Sequence, residues 1–297
     1  MQTPFVLFAV AKVSTFFKMP NILKEKITFF LFFYKICLCA FSFIPLMRKY
    51  WCGNMVEILA GIVLRTVKYK DTQMLVDCYT RERGRISCAV TISQSRKSLS
   101  RKVMFQPLSV LEMTVDVRPN ASIYRMREAR LRHPYSTLPF DPVKNALALF
   151  LAEFLSYAVR EETENEALYA FLEQSLNWLD KSGQPVANFH IAFLLRLSRF
   201  VGVYPYLEGY EPGFCFDLLT ASYCKHPPLL HSYYIDKEEA AHVNALMRMR
   251  YETMRFYPMS RVQRQRCLEL INLFYSLHLP DFPVRLQSLD ILKELFD

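Results

Sequence analysis

The run Ile86–Ile92 constrains the fold of this chain most, because apolar residues alternate cleanly with small or polar ones along it. A period of two residues is typical of a strand with one buried face. The preceding run, Gln73–Tyr79, is also strand-like. The residues that join the two runs, Thr80–Gly84, have the length and the glycine of a short hairpin loop. Together these features predict an antiparallel β-hairpin.

Three further β-rich runs surround this hairpin. Five short strands in so small a block would leave exposed edges in an open sheet, and closure into a barrel removes them. The OB-fold is the five-stranded barrel of this size. We therefore expect an α+β protein with an N-terminal OB-fold barrel over residues 55–133 and an α-helical domain over residues 134–297. The three additional predicted strands are Ile58–Tyr69, Met104–Val117 and Ala121–Leu131.

Charge is distributed unevenly along the chain. Of the net charge of +9, residues 1–54 contribute +6, residues 55–133 contribute +8 and residues 134–297 contribute −5. The 15 Lys and Arg side chains of the middle block repel one another unless a polyanion is near. Single-stranded nucleic acid is such a polyanion, and its bases stack on aromatic side chains. The block therefore favours nucleic-acid binding. The alternative is a solvated basic face with the tyrosines in the barrel core.

The predicted DNA contacts are cations of the first strands and their hairpin, of a Ser-rich loop and of the last strand. They are Arg65, Lys68, Arg81, Arg83, Arg85, Arg96, Lys97, Arg101, Lys102, Arg125 and Arg127. Aromatic residues are interleaved with these cations and could stack on bases. These aromatic residues are Tyr69, Tyr79, Phe105 and Tyr124.

Helical patterns dominate residues 134–297. Asp141-Pro142, a capping residue followed by proline, begins a first helix with apolar residues at i, i+3 and i+4. A capping-box pattern at Thr163–Glu166 begins a second, and the largely apolar run Val186–Val201 predicts a central third helix. Residues 202–234 have little periodicity and predict an irregular insertion. Three more helices are expected at Lys237–Tyr251, Arg261–Leu277 and Arg285–Phe296.

The first 54 residues are apolar, aromatic and almost free of acidic side chains. They show little periodicity, so we expect an extension outside the fold, either disordered or translated from a start codon upstream of the true one. One alternative is a membrane anchor at residues 27–46, which are long enough to span a bilayer although Lys35 makes insertion costly. The protein would then be a membrane-anchored OB-fold scaffold. The other alternative is a genuine packed element.

No catalytic constellation is recognisable in the sequence. The motifs GxxxxGK[ST], HExxH and GxSxG do not occur, and no pair of carboxylates stands out. Cys215 and Cys224 lack the CxxC pairing of zinc ribbons, and His226 and His231 complete a ligand set only at an unusual spacing. The cysteines form no disulfide framework, which suits a reducing cytosol. We therefore expect a binding protein without a metal or cofactor, not an enzyme.

Three segments of the chain resemble the RecO family of bacterial recombination mediators. The likeness begins at Met55 and leaves residues 1–54 outside it. It rests on the order and spacing of the segments rather than on a single motif. The segments are GIVLRTVKYKDTQMLVDCYTRERGRI (Gly61–Ile86), FLLRLSRFVGVYPYL (Phe193–Leu207) and VRLQSLDILKEL (Val284–Leu295).

The resemblance implies an OB domain that binds single- and double-stranded DNA and promotes strand annealing. It also implies a complex with RecR, contact with the acidic C-terminal tail of the single-strand-binding protein, help in loading RecA, and a cytoplasmic, nucleoid-associated location. An acidic, apolar tail would need a cationic rim beside an apolar groove, and Arg196 and Arg199 are the candidates for that rim. Many family members carry a four-cysteine zinc site, of which only Cys215 and Cys224 remain here, so no zinc is expected.

Overall fold

The computed structural model of the protein describes residues 55–92, 102–118, 121–160 and 162–295. Its first five strands close into a barrel in the order β1-β2-β3-β5-β4, with β1 paired to both β2 and β4. This is a five-stranded OB-type barrel, which confirms the predicted fold class. The strands are β1 (Met55–Lys70), β2 (Gln73–Thr80), β3 (Gly84–Thr91), β4 (Val110–Val117) and β5 (Tyr124–Leu131).

Two glycines of the barrel lie where a side chain would be constrained. Gly61 lies in β1 where the strand pairs with Thr80 of β2 on one side and Leu111 of β4 on the other. A Cβ at this position would stand 2.5 Å from the terminal methyl of Met113, so a larger residue would require the Met113 side chain to move. Gly84 has a φ of 62° at the β2–β3 hairpin, a conformation that glycine adopts without strain.

The predicted strand Met104–Val117 is wrong over its first six residues. Residues 102–104 are helical, and β4 begins only at Val110. The apolar side chains before β4 are core residues of a non-strand segment. Phe105 packs in the barrel core and Leu108 packs against the helices. The Leu108 N–H donates to the Val63 carbonyl at 2.7 Å, which anchors this segment to β1.

The helical domain begins as predicted. The Asp141 carboxylate caps α1 by accepting from the N–H groups of Val143 and Lys144. The second helix also begins at the predicted place, but Asn165 provides the cap. The helices are α1 (Pro142–Ala158), α2 (Glu166–Lys181), α3 (Phe189–Leu197), α4 (Lys237–Ala240), α5 (Val243–Met247), α6 (Arg261–His278) and α7 (Ser288–Leu295).

Three predictions for this domain need correction. The central helix is shorter than Val186–Val201, since the Asn188 amide donates to the carbonyls of Met254 and Tyr257 and holds the preceding turn in place. The predicted helix Lys237–Tyr251 is two short helices. The segment 202–234 is not wholly irregular, because it contributes to a small antiparallel sheet in the order β7-β6-β8. Its strands are β6 (Cys215–Asp217), β7 (Ser222–Cys224) and β8 (Tyr234–Ile235).

The barrel and the helices share one hydrophobic core. Tyr79 of β2, fully buried, lies in the same cluster as the apolar faces of α1, α2 and α3. At the same place, the Arg85 guanidinium donates to the carbonyls of Ser156 and Val159 at the C-terminal end of α1, at 2.6 and 3.3 Å. The β2–β3 hairpin therefore docks directly onto the helical domain.

None of the helices in the described part of the chain is long and apolar enough to cross a membrane. The stretch proposed as an alternative anchor, residues 27–46, lies outside that part.

A buried polar cluster secures the link between the two halves. The Asp180 carboxylate, only 5% exposed, accepts from the backbone N–H groups of Ser136, Thr137 and Leu138 at 2.8–3.0 Å. The buried Lys144 ammonium donates to the carbonyls of Asp180 and Ser182 and so caps the end of α2. Burial acts to raise the pKa of Asp180, but the backbone N–H donors outweigh it and hold the pKa at about 2.

We predict that Asp180→Asn destabilises the protein by about 2 kcal/mol near neutral pH. Because the folded-state pKa lies below the ordinary value of 3.8, the carboxylate stabilises the fold above about pH 4. That stabilisation is lost as the pH falls towards 2. Urea unfolding at several pH values should therefore show a gap between wild type and variant that closes in acid. Asp71→Asn, in the exposed β1–β2 turn, is the control; an equal loss there, or a gap independent of pH, would contradict the assignment.

Candidate nucleic-acid interface and docking cavity

The arginines of the β2–β3 hairpin are engaged within the protein. Arg81 forms an ion pair with Glu166 at the start of α2. Arg83 binds the Glu57 carboxylate with two nitrogens, each at 2.6 Å, and this hydrogen bonding lowers the pKa of Glu57. Arg85 donates to the carbonyls that end α1. These three predicted DNA contacts therefore hold β1, the hairpin and the helices together.

Buried carboxylates neutralise further cations on the outer face of the barrel. Asp77, 7% exposed, lies 3.2 Å from the Arg65 guanidinium and accepts from the Ser87 hydroxyl at 2.7 Å. Asp116, 4% exposed, accepts from Arg127 at 2.6 Å. A buried carboxylate without such a partner would destabilise the fold, so Arg65 and Arg127 have a structural role whether or not a ligand binds. Farther along β5, Arg130 and Arg132 pair with Glu112 and Glu173.

Besides Lys102, four exposed cations of the barrel have no carboxylate partner within the described residues. Strand register places Lys68 and Arg125 at the same end of the barrel, in neighbouring rows whose side chains point to opposite faces of the sheet. Lys68 pairs with Met74, which pairs with Val90, and the neighbouring β3 residue Ala89 pairs with Arg125. The β1–β2 turn, the end of β3 and the β4–β5 connection thus meet at one end of the barrel, opposite the hairpin that docks on the helices. We call this the cationic end, defined by Lys68, Lys70, Arg118 and Arg125.

The cationic end also offers apolar surface for bases. Tyr69 is 47% exposed, and the Lys70 ammonium lies 5.3 Å from the centre of its ring. Val67 is exposed as well, and it forms a row with Leu75, Ala89 and Arg125 across four strands. In OB folds the β1–β2 and β4–β5 loops and the face of strands 2 and 3 are where oligonucleotides bind.

Two of the four predicted aromatic contacts are core residues. Tyr79 and Phe105 are buried and cannot stack on a base, so the alternative, aromatic residues in a core, is correct for both. Tyr124, next to Arg125, is partly buried and packs against the barrel core. What distinguishes the buried aromatic residues from Tyr69 is packing against residues distant in the sequence, which local sequence patterns do not show.

The Ser-rich loop leaves the barrel at the cationic end. Its first anchor is Ile92, whose N–H donates to the Thr72 carbonyl in the β1–β2 turn at 2.8 Å. Arg96, Lys97 and Arg101 lie outside the described residues. Lys102, where the described chain resumes, is exposed.

The helical domain contains an open apolar cavity of about 620 Å³. It lies between α3, the short helices α4 and α5, and α6. Phe256 and Val262 are 66% and 75% exposed at its mouth, and the polar groups around it include Glu238, Glu239 and Arg266. Periodicity alone could not reveal this cavity, because its lining residues read as ordinary core positions. Its apolar wall includes Ile191, Leu195, Phe216, Leu246, Ile271 and Phe274.

The two arginines predicted to form a cationic rim lie on α3, which borders the cavity, or just beyond its end, but neither lines the cavity. Arg196 lies between the rings of Phe171 and Tyr251, with its guanidinium carbon 5.6 and 5.1 Å from their centres. Arg199 lies over the ring of Tyr204 and donates to its hydroxyl at 2.9 Å. The arginine that lines the cavity is Arg266 of α6.

The two cysteines that remain where many family members carry a zinc site lie opposite each other in a small sheet. Cys215 and Cys224 are directly paired across β6 and β7. Burial raises the pKa of Cys224, which keeps its thiol protonated near neutral pH. Within the described ranges, no group of three or more His, Cys, Asp or Glu side chains is arranged to hold a metal ion.

The barrel, its cationic end and the helical domain with its cavity define an OB-fold protein with an appended helical domain. Two family models match the chain: Recombination protein O N terminal over residues 55–135 and Recombination protein O C terminal over residues 139–287. The chain belongs to the RecO family.

Named relatives agree with this assignment. The chain is 52% identical to the DNA repair protein RecO of Phocaeicola vulgatus over 242 residues, which are 82% of this chain and 100% of the relative. It is 51% identical to the DNA repair protein RecO of Bacteroides fragilis over 243 residues, with the same coverage. It is 32% identical to the protein of that name from Porphyromonas gingivalis over 247 residues, again 82% of this chain and 100% of the relative.

Proposed function

We propose that this protein is a non-enzymatic mediator of DNA repair and recombination that binds single-stranded DNA at the cationic end of its barrel. The observation that carries the proposal is that Lys68, Lys70, Arg118 and Arg125 lie at the same end of an OB barrel as the exposed ring of Tyr69, where loops converge. Phosphates would neutralise the cations, and the exposed ring would stack on a base.

Charge pairing supports this location. Cations that already face a carboxylate gain little from a phosphate, because the bond to the carboxylate must first be broken. Cations without such a partner release counterions when DNA binds, which gives salt-sensitive affinity with little preference for sequence. Arg96, Lys97, Arg101 and Lys102, which belong to or follow the loop leaving this end, would extend the surface. Arg81, Arg83 and Arg85 then contribute by orienting the barrel.

The finer roles rest on membership of the RecO family and on the names of the relatives. We propose that the protein also binds double-stranded DNA, anneals complementary strands, forms a complex with RecR, and helps to load RecA onto DNA coated with single-strand-binding protein. These roles place it in the cytoplasm with the nucleoid. They need no chemical step, in keeping with a surface that offers cations and an aromatic ring.

We predict that Lys68→Gln combined with Arg125→Gln weakens binding of a single-stranded oligonucleotide by about tenfold at ~0.1 M salt. The slope of log affinity against log salt concentration should decrease in magnitude by about one to two, because two phosphate contacts are lost. Fluorescence anisotropy over a salt series measures both quantities.

The matched control is Arg130→Gln combined with Arg160→Gln. It removes the same two charges, but both side chains are exposed and already paired, with Glu112 and Asp281. It should bind DNA nearly as wild type does. Equal losses in the two double variants would mean that only total charge matters and that the cationic end is not the binding site.

We further propose that the apolar cavity of the helical domain receives the C-terminal tail of single-strand-binding protein. A tail with an apolar end and acidic residues requires an apolar pocket beside a cation. The cavity is such a pocket, and Arg266 is part of its lining. Arg199, just past the end of α3, stays a candidate for a more distant contact with the acidic part.

We predict that Val262→Asp weakens binding of a labelled peptide carrying this acidic tail by about fivefold, or ~1 kcal/mol, because it adds a like charge at the mouth of the cavity. Val284→Asp is the control, since Val284 is 76% exposed and does not line the cavity. Isothermal titration calorimetry measures both. Tail binding that both variants retain in full would exclude the cavity.

A further inference from the structure

The cation of the cavity is already occupied by a carboxylate of the same chain. The Arg266 Nε and one terminal nitrogen reach the two oxygens of Glu239 at 3.0 Å each, which is the fork geometry that arginine uses for carboxylate recognition. Glu239 belongs to α4 and Arg266 to α6, so the pair bridges two sides of the cavity. Both residues line it.

The other arginines near the mouth are less suited to a carboxylate ligand. Arg264 donates to the Met259 carbonyl at 2.6 Å. Arg255 lies over the exposed ring of Phe256, 4.7 Å from its centre, and is not part of the wall. Glu238, adjacent to Glu239, adds a second negative charge to the lining. An acidic ligand that enters this cavity therefore gains the forked Nε edge of Arg266 only by displacing Glu239.

We propose that Glu239 competes with the carboxylate of the ligand for Arg266. The forked edge of Arg266 then binds an acidic tail only after the tail's carboxylate has replaced that of Glu239. The inference rests on the proposed docking of the tail in this cavity. The exchange conserves the number of guanidinium–carboxylate bonds, so the net electrostatic gain is small and the apolar end of the peptide provides most of the affinity. The competitor thereby selects against peptides that are acidic but lack an apolar end.

The test measures binding of a labelled peptide with the acidic C-terminal tail of the host's single-strand-binding protein to four full-length proteins: wild type, Glu239→Gln, Arg266→Gln and the double variant. Exposed ion pairs of this kind contribute up to about 1 kcal/mol, so Glu239→Gln should bind two- to fivefold tighter than wild type. Arg266→Gln should bind more weakly. In the Arg266→Gln background, Glu239→Gln should have no further effect, because there is no guanidinium left to release.

Glu211→Gln, which removes an exposed carboxylate that does not line the cavity, controls for net charge. A second peptide that keeps the acidic residues but lacks the apolar end should gain proportionally more from Glu239→Gln. If wild type binds the tail and Glu239→Gln binds it no more tightly than Glu211→Gln does, the proposed competition by Glu239 is refuted. The proposed docking of the tail in the cavity is then unaffected. If neither wild type nor Glu239→Gln binds the tail, docking in the cavity fails and the competitor fails with it.

Discussion

The docking of the β2–β3 hairpin on the helices determines which surfaces of this protein are available to a ligand. Tyr79 is inserted into the helical core, and the Arg85 guanidinium satisfies carbonyls at the end of α1 that would otherwise lack donors. Because β2 and β3 each run the height of the barrel, fixing one of their ends against the helices leaves the other end exposed. The exposure of the cationic end is therefore a geometric consequence of the junction.

Charge pairing then separates structural cations from available ones. The barrel is basic in total, but Asp77 and Asp116 are buried and need Arg65 and Arg127 as partners. The exposed cations without a carboxylate partner among the described residues include Lys68, Lys70, Arg118 and Arg125, all at the cationic end. In the helical domain the cavity's arginine is, by contrast, held by Glu239. Internal pairing therefore matters at both candidate sites, because it determines which charges a ligand can reach without displacing a side chain of the protein.

The barrel and the helical nature of the second domain could be predicted from the sequence, but the small sheet of β6, β7 and β8 could not. A period of two residues, turn residues and the size of the block predict a closed five-stranded barrel, and Asp141-Pro142 marks where the helices begin. The sites were harder, because the pairs that decide them, such as Arg81 with Glu166 or Arg266 with Glu239, join residues far apart in the chain. Periodicity likewise cannot distinguish a buried tyrosine from an exposed one. It also cannot reveal the cavity, because the lining residues have the same apolar pattern as core residues.

The most direct test of the central claim is lysine footprinting by mass spectrometry, with an amine-reactive label applied with and without a single-stranded oligonucleotide. The account predicts that Lys68 and Lys70 become protected when DNA binds, while Lys181 and Lys237 of the helical domain, which are also exposed when the protein is free, keep their reactivity. Protection of the helical lysines with Lys68 and Lys70 still reactive would contradict it.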